Sequence, residues 1–108
     1  MTKVIREVCN SVDTVLKIGK LEFDVVSSCR LSHEGEMIYG FCHYGSQVIY
    51  VEEEMCKQAQ DVTIMHEVLH AIFDQVGEEQ DEGRIDRLSH ALYAFILDNK
   101  EFINDLGS

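Results

Sequence analysis

The stretch Thr63-Ile-Met-His-Glu-Val-Leu-His-Ala-Ile-Phe73 carries two signals at once. The first is a helix. From about Cys56 to Val76 the apolar residues Val62, Met65, Leu69, Ile72, Phe73 and Val76 recur at intervals of three and four, the period of one helix face. Gly77 is a natural stop. The second signal is chemical. His66-Glu67-Val68-Leu69-His70 reads H-E-x-x-H. Residues four apart on a helix lie about 40° apart around the axis and one turn up, so both imidazoles can reach one ion.

Zinc takes imidazole nitrogens and carboxylate oxygens at roughly 2.0–2.2 Å and in catalytic sites keeps one position for water. Glu67 lies about 100° round the helix from His66, beside such an ion rather than on it. There it can take a proton from a zinc-bound water and pass it to a leaving amine. A third ligand must come from elsewhere. The second helical run, from about Glu82 to Asn99, has Ile85, Leu88, Ala91, Leu92, Phe95 and Ile96 at helical spacing. Its start reads Glu82-Gly-Arg-Ile-Asp86-Arg-Leu-Ser-His90. Glu82 and Asp86 share one face, which His90 and Tyr93 extend. One carboxylate is expected to ligate and the other to fix a histidine through its free ring N–H. His90 and Tyr93 are candidates for stabilising an oxyanion.

Upstream of these helices the period changes. Asp13–Ile18 and Leu21–Ser27 flank Gly19-Lys20, and Met37–Tyr44 and Gln47–Glu52 flank Gly45-Ser46. Both pairs read as hairpins of half-buried strands. Residues 28–37 are a polar connection, and the first dozen residues are ambiguous between a strand and an arm. Strands first and helices second indicate an α+β fold. With 108 residues, a single domain over 1–108 is expected. Gln47–Glu52, directly before the helix, is the candidate edge strand for pairing with an extended substrate.

Charge narrows the partners. Residues 1–51 carry five bases and six acids, and residues 52–108 carry four bases and fourteen acids, so −10 of the net −11 lies in the helical half. Such a surface disfavours nucleic acid and anionic membranes. No apolar run approaches the ~20 residues of a membrane span. The opening residues have neither a long apolar stretch nor a small-residue cleavage site, so the expected location is cytoplasmic. Cys9, Cys29, Cys42 and Cys56 contain no C-x-x-C and are expected to be small buried hydrophobes.

The chain resembles the gluzincin-type zincin metallopeptidases and, more narrowly, the small ImmA/IrrE-like zinc metallo-endopeptidases of phages and prophages. The resemblance rests on Tyr39-Gly-Phe-Cys-His-Tyr44, Val48-Ile-Tyr-Val51, Thr63–Phe73, Glu82-x-x-x-Asp86-Arg-Leu-Ser and Leu92-Tyr93 with Asp98-Asn99. It spans residues 13 to 99, with H-E-x-x-H as its specific part. It implies a minimal zincin-like domain, Zn2+, peptide-bond hydrolysis and a protein substrate, often of repressor type. It also implies that Glu82 completes the metal site and that Asp86 stands behind a histidine. Only 11 residues separate His70 from Glu82, a shorter interval than is usual there. Helix geometry alone pulls the other way. If the first helix runs six residues past His70 and turns back tightly, Asp86 lies nearer the metal's level than Glu82 does. The expected set is therefore His66, His70 and Glu82 for the metal, with Glu67 as catalytic base. The alternative expectation is a zincin-shaped protein that keeps a structural zinc and works by holding a protein partner. A third is a helical-hairpin interaction protein with no metal.

Overall fold

A computed structural model describes residues 11–108. The readings of Cys9 and of the chain's opening fall outside those residues. Gly19 and Lys20 join β1 (Ser11–Ile18) to β2 (Leu21–Ser28). The loop works because Gly19 sits at φ 63°, in the left-handed region that glycine enters without steric cost. The Gln75 side chain also packs there, its Nε2 donating to the Ile18 carbonyl at 2.6 Å. A Cβ on Gly19 would overlap the Gln75 carboxamide and push that side chain off its bond to Ile18.

The 28–37 connection contains a minute hairpin, β3 (Ser32–His33) with β4 (Glu36–Met37). Glu34 and Gly35 turn it with φ of 54° and 83°, the double positive that a two-residue I′ loop demands. Its base is held by Glu52, a carboxylate only 7% exposed. That carboxylate accepts from the backbone N–H of Leu31 at 2.6 Å and of Arg30 and Glu54 at 3.2 Å. A buried charge is tolerable when several donors replace its water.

Strands β5 (Gly40–His43) and β6 (Val48–Glu52) form the second hairpin. Its loop is longer than Gly45-Ser46. Residues 44–47 make the turn, with Gln47 at φ 57°, and His43 Nδ1 accepts from the Ser46 backbone N–H at 3.1 Å.

The four main strands lie in the order β1-β2-β6-β5. Each hairpin is antiparallel, but β2 and β6 pair in parallel. The sheet is therefore mixed, where antiparallel strands throughout were expected. One consequence bears on the site. β6 is interior and paired on both sides, so it cannot be the free edge assigned to Gln47–Glu52. The edge strand on that side is β5.

Three helices follow: α1 (Lys57–Val76), α2 (Glu82–Asp98) and α3 (Lys100–Asp105). Helix α1 packs across β1, β5 and β6, and α2 packs on α1. Phe23, Val25, Cys42, Ile49 and Val51 from the sheet meet Ala71 of α1, with Ile64 and Val68 beside it. On the opposite face of α1, Leu69 is buried, and so are Ile85 and Ser89 of α2. Helix α1 ends at Gly77, φ 76°, whose N–H donates to Asp74 O while that of Glu78 donates to Phe73 O. This glycine-terminated cap closes the last turn. Asp81 caps α2 by accepting from Arg84 N–H at 3.0 Å, and that bond holds its carboxyl below the usual range. The second helical run ends where expected, at Asp98 with Asn99 as its cap, and the short α3 follows directly. Asn99 leaves helical geometry at φ −135°, and its amide side chain donates to Phe95 O, a local bond that competes with the helix.

The cysteines divide. Cys42 is a buried hydrophobe, as expected. Its thiol is pushed up to about 12 by burial, with Glu67 and Asp74 adding to the shift, so it stays protonated. Cys56 is exposed and free, and Cys29 is disulfide-bonded. For these two the expectation of buried thiols is corrected. Among the described residues no helix is long and apolar enough to cross a membrane.

Candidate metal centre

His66 and His70 project from the middle of α1 with ring centroids 5.0 Å apart. The carboxylate of Glu82, at the first position of α2, reaches between them. Its Oε2 lies 2.6 Å from His66 Nε2 and its Oε1 lies 2.9 Å from His70 Nε2. The three donor atoms fall within 4.8 Å of one another. Tetrahedral zinc with bonds of about 2.05 Å needs its ligand atoms about 3.3 Å apart. The nitrogen–oxygen contacts of 2.6 and 2.9 Å would lengthen to admit such an ion.

The second nitrogen of each histidine is also occupied. His66 Nδ1 is 3.3 Å from Asp86 Oδ1, and His70 Nδ1 is 2.6 Å from Gln80 Oε1. Both neighbours are oxygens; with the proton on Nδ1, the Nε2 of a neutral ring presents a lone pair. Those lone pairs face carboxylate oxygens, which also carry only lone pairs. In that tautomer the apposition calls for a proton or a cation between the atoms. Two adjacent imidazolium ions would supply it at the cost of mutual repulsion. One shared cation supplies it without that cost.

Gln80 explains how Glu82 reaches the ring nitrogens. Its Nε2 also donates to His70 O at 3.0 Å. The chain leaving α1 at Gly77 has therefore come back to the level of His70 before α2 begins. The tight return that favoured Asp86 is not the path taken. Asp86, one turn on, stands beside His66. Helix α2 then runs back along α1, and Tyr93 comes near Lys57 at the start of α1. Tyr93 is not among the residues that line the cleft. His90 does line the cleft, with Nδ1 2.9 Å from the Asp86 carbonyl.

Glu67 points to the sheet side of α1 and is 8% exposed. Burial pushes its carboxyl above the ordinary range. His70 and His66 pull it back, and Glu82 pushes it further up. Strand β5 comes close because residue 40 is glycine. A Cβ there would lie 2.5 Å from Thr63 Cγ2 and 3.2 Å from Glu67 Oε2. Gly40→Ala is therefore expected to displace Thr63 or Glu67 and to destabilise the fold by about 1–3 kcal/mol through overpacking. Thermal melting checks this, and an unchanged melting temperature would show slack between β5 and α1.

A cleft of about 830 Å³ opens beside these residues. Tyr39 and Gly40 form its β5 side, Ala59, Val62 and Thr63 its α1 wall, and His66, Glu67 and Glu82 its chemical end. Tyr44, in the β5–β6 turn, feels the same charges. Burial raises its hydroxyl to about 12, with Cys42, Asp74, Glu67 and Glu82 contributing. It remains a donor.

Gln80 has no place among the residues the sequence singles out, and Gly40 and Tyr44 stand there only within the Tyr39–Tyr44 stretch, with no role of their own. Gln80 carries one signal, its place in a short inter-helix connection two residues before a candidate ligand. The other two depend on the β5–α1 approach, which no local pattern announces. No family description, curated protein or solved structure matches the chain.

Proposed function

We propose that the chain is a zinc-dependent metallo-endopeptidase, with His66, His70 and Glu82 holding the metal and Glu67 as general base. The observation that carries this reading is the convergence of both Nε2 atoms on the Glu82 carboxylate, at 2.6 and 2.9 Å, with an oxygen beside each Nδ1. The donor set of two imidazoles and a carboxylate suits zinc. A zinc ion held there would supply Lewis acidity, polarising a carbonyl and making water acidic enough to be a nucleophile near neutral pH.

The chain's own residues supply the rest. Asp86 and Gln80 fix the ring orientations of His66 and His70. Glu67, raised by burial, takes a proton from attacking water and returns it to the leaving amine. The open edge of β5, with Tyr39 and Gly40 at the cleft, offers backbone groups to an extended peptide. The substrate is then a peptide segment of a protein, of repressor type if the ImmA/IrrE-like resemblance extends so far. The cytoplasm is the location consistent with that reading.

The test is metal content in protein purified without chelator, expected at about one zinc per chain. Asp86→Asn should weaken zinc binding about 10- to 100-fold, as loss of an orienting partner does. Glu82→Gln should weaken it more. Zinc-free protein that takes up none on titration would overturn the assignment, and the reverse ranking would make Asp86 the ligand.

A further inference from the structure

Helix α2 has three distinct flanks. Ile85 and Ser89, both fully buried, face α1. Glu82, Asp86 and His90 line the cleft. The remaining stripe is Arg84, Leu88, Ala91, Phe95 and Asp98, and every one of these residues is exposed. Their spacing of four, three, four and three is that of a helix-pairing seam. Leu88 is 40% and Phe95 46% exposed, and Leu92 and Phe102 extend the surface at 38% and 55%. Phe102 meets Phe95 edge-on, with centroids 6.3 Å apart.

This stripe is complementary to itself. Ala91 is its midpoint. Arg84 lies seven residues before it and Asp98 seven after. No salt bridge among the described residues engages Arg84, Arg87 or Asp98. Two copies of α2 packed antiparallel about a two-fold axis at Ala91 bring Arg84 of each copy opposite Asp98 of the other. Arg87 then faces Phe95, a cation over a ring. The small Ala91 permits close approach at the axis. Parallel pairing instead sets Arg84 against Arg84 and Asp98 against Asp98. An unrelated partner has no need of this balance about one residue, whereas an isologous contact requires it.

The area is sufficient. Leu88, Leu92, Phe95 and Phe102 together leave about 350 Å² of apolar surface per copy, at roughly 200 Å² for a complete large side chain. With Arg84, Arg87, Asp98 and the alanines, the covered surface comes to about 600 Å² per copy, the lower end of specific interfaces. We propose that the chain forms a two-fold homodimer through antiparallel α2 helices, centred on Ala91. The seam is on a different flank of α2 from the cleft, so the dimer leaves the cleft open and does not depend on the proposed chemistry.

Sedimentation equilibrium of the whole chain, up to about 200 μM, tests this. The mass should rise with concentration from 12.4 kDa toward twice that value. Ala91→Glu substitutes an exposed position with a good helix former, so the circular dichroism spectrum should be unchanged while dimer affinity falls about 100-fold or more. Arg84→Glu alone and Asp98→Arg alone each place like charges across the axis twice and should weaken the dimer about 10-fold or more. The double variant restores opposite charges and should return affinity to within about 3-fold of the starting protein. A chain that stays monomeric at the highest concentration overturns the proposal. So does a dimer indifferent to Ala91→Glu, and so does a double variant no tighter than the single ones.

Discussion

Replacing His70 with alanine is expected to give a chain that purifies without zinc and melts about 10–20 °C lower than the zinc-loaded parent. The size follows from linkage. A ligand that binds only the folded state stabilises it by about 2.7 kcal/mol at one hundred times its dissociation constant. In a domain this small, each kcal/mol moves the midpoint by about 4–8 °C. The sheet and α1 have their own apolar core in Phe23, Val25, Ile49, Val51 and Ala71, so the fold should persist without metal. His70→Ala also strands Gln80, whose carboxamide bonds both the ring and the carbonyl of residue 70. Part of the loss will therefore appear even in metal-free protein. Chelator separates the two contributions: it should lower the parent's midpoint and leave that of the variant unmoved. His66→Ala should behave alike, with Asp86 as the stranded group. A variant that keeps one zinc at unchanged affinity would remove the histidines from the ligand set.

The helices were legible because their signals are local. Three-four periodicity set the span of α1, Gly77 marked its end, and the renewed periodicity from about Glu82 marked the start of α2. The histidines needed only that α1 be a helix, since a spacing of four fixes their common face. The sheet was less legible. Gly19-Lys20 specifies a hairpin by itself, but nothing local says how two hairpins join. That is decided by which faces α1 covers. A clue was present in the unbroken apolar runs Val25-Val26 and Val48–Val51, since strands covered on both faces are typical of interior positions. Edge and interior were exchanged because that clue is weak in strands this short.

The placement of Glu82 shows a different limit. Rise per residue alone predicts that a chain leaving Val76 comes back level with His70 only several residues into α2, which selects Asp86. The actual path spends residues 77–81 on the return, and Gln80 fastens it to residue 70. Whether a five-residue connection runs outward or back along its helix depends on side-chain bonds. Periodicity does not carry that information.

Glu67→Gln should leave zinc content and fold intact and reduce peptide hydrolysis about 10²–10⁴-fold, the range for loss of a positioned general base. The substitution keeps the shape of a side chain packed against Gly40 and removes only its basicity. Its effect on stability has a defined sign. The folded state holds the Glu67 carboxyl above its ordinary range because the group is buried. The folded metal-free chain thus binds this proton more tightly than the unfolded chain, and its stability falls as pH rises through that interval. Glutamine carries no such charge. The metal-free variant should be at least as stable as the parent at neutral pH, and its melting temperature should fall less on going from acid to neutral. A bound dication would counter the burial effect in the parent, so this comparison belongs in chelator. Turnover of an unfolded protein substrate then separates the remaining readings. Activity abolished with zinc retained assigns the base to Glu67. Undiminished turnover means another group activates the water. Zinc lost together with activity would make Glu67 part of the metal's support rather than the base.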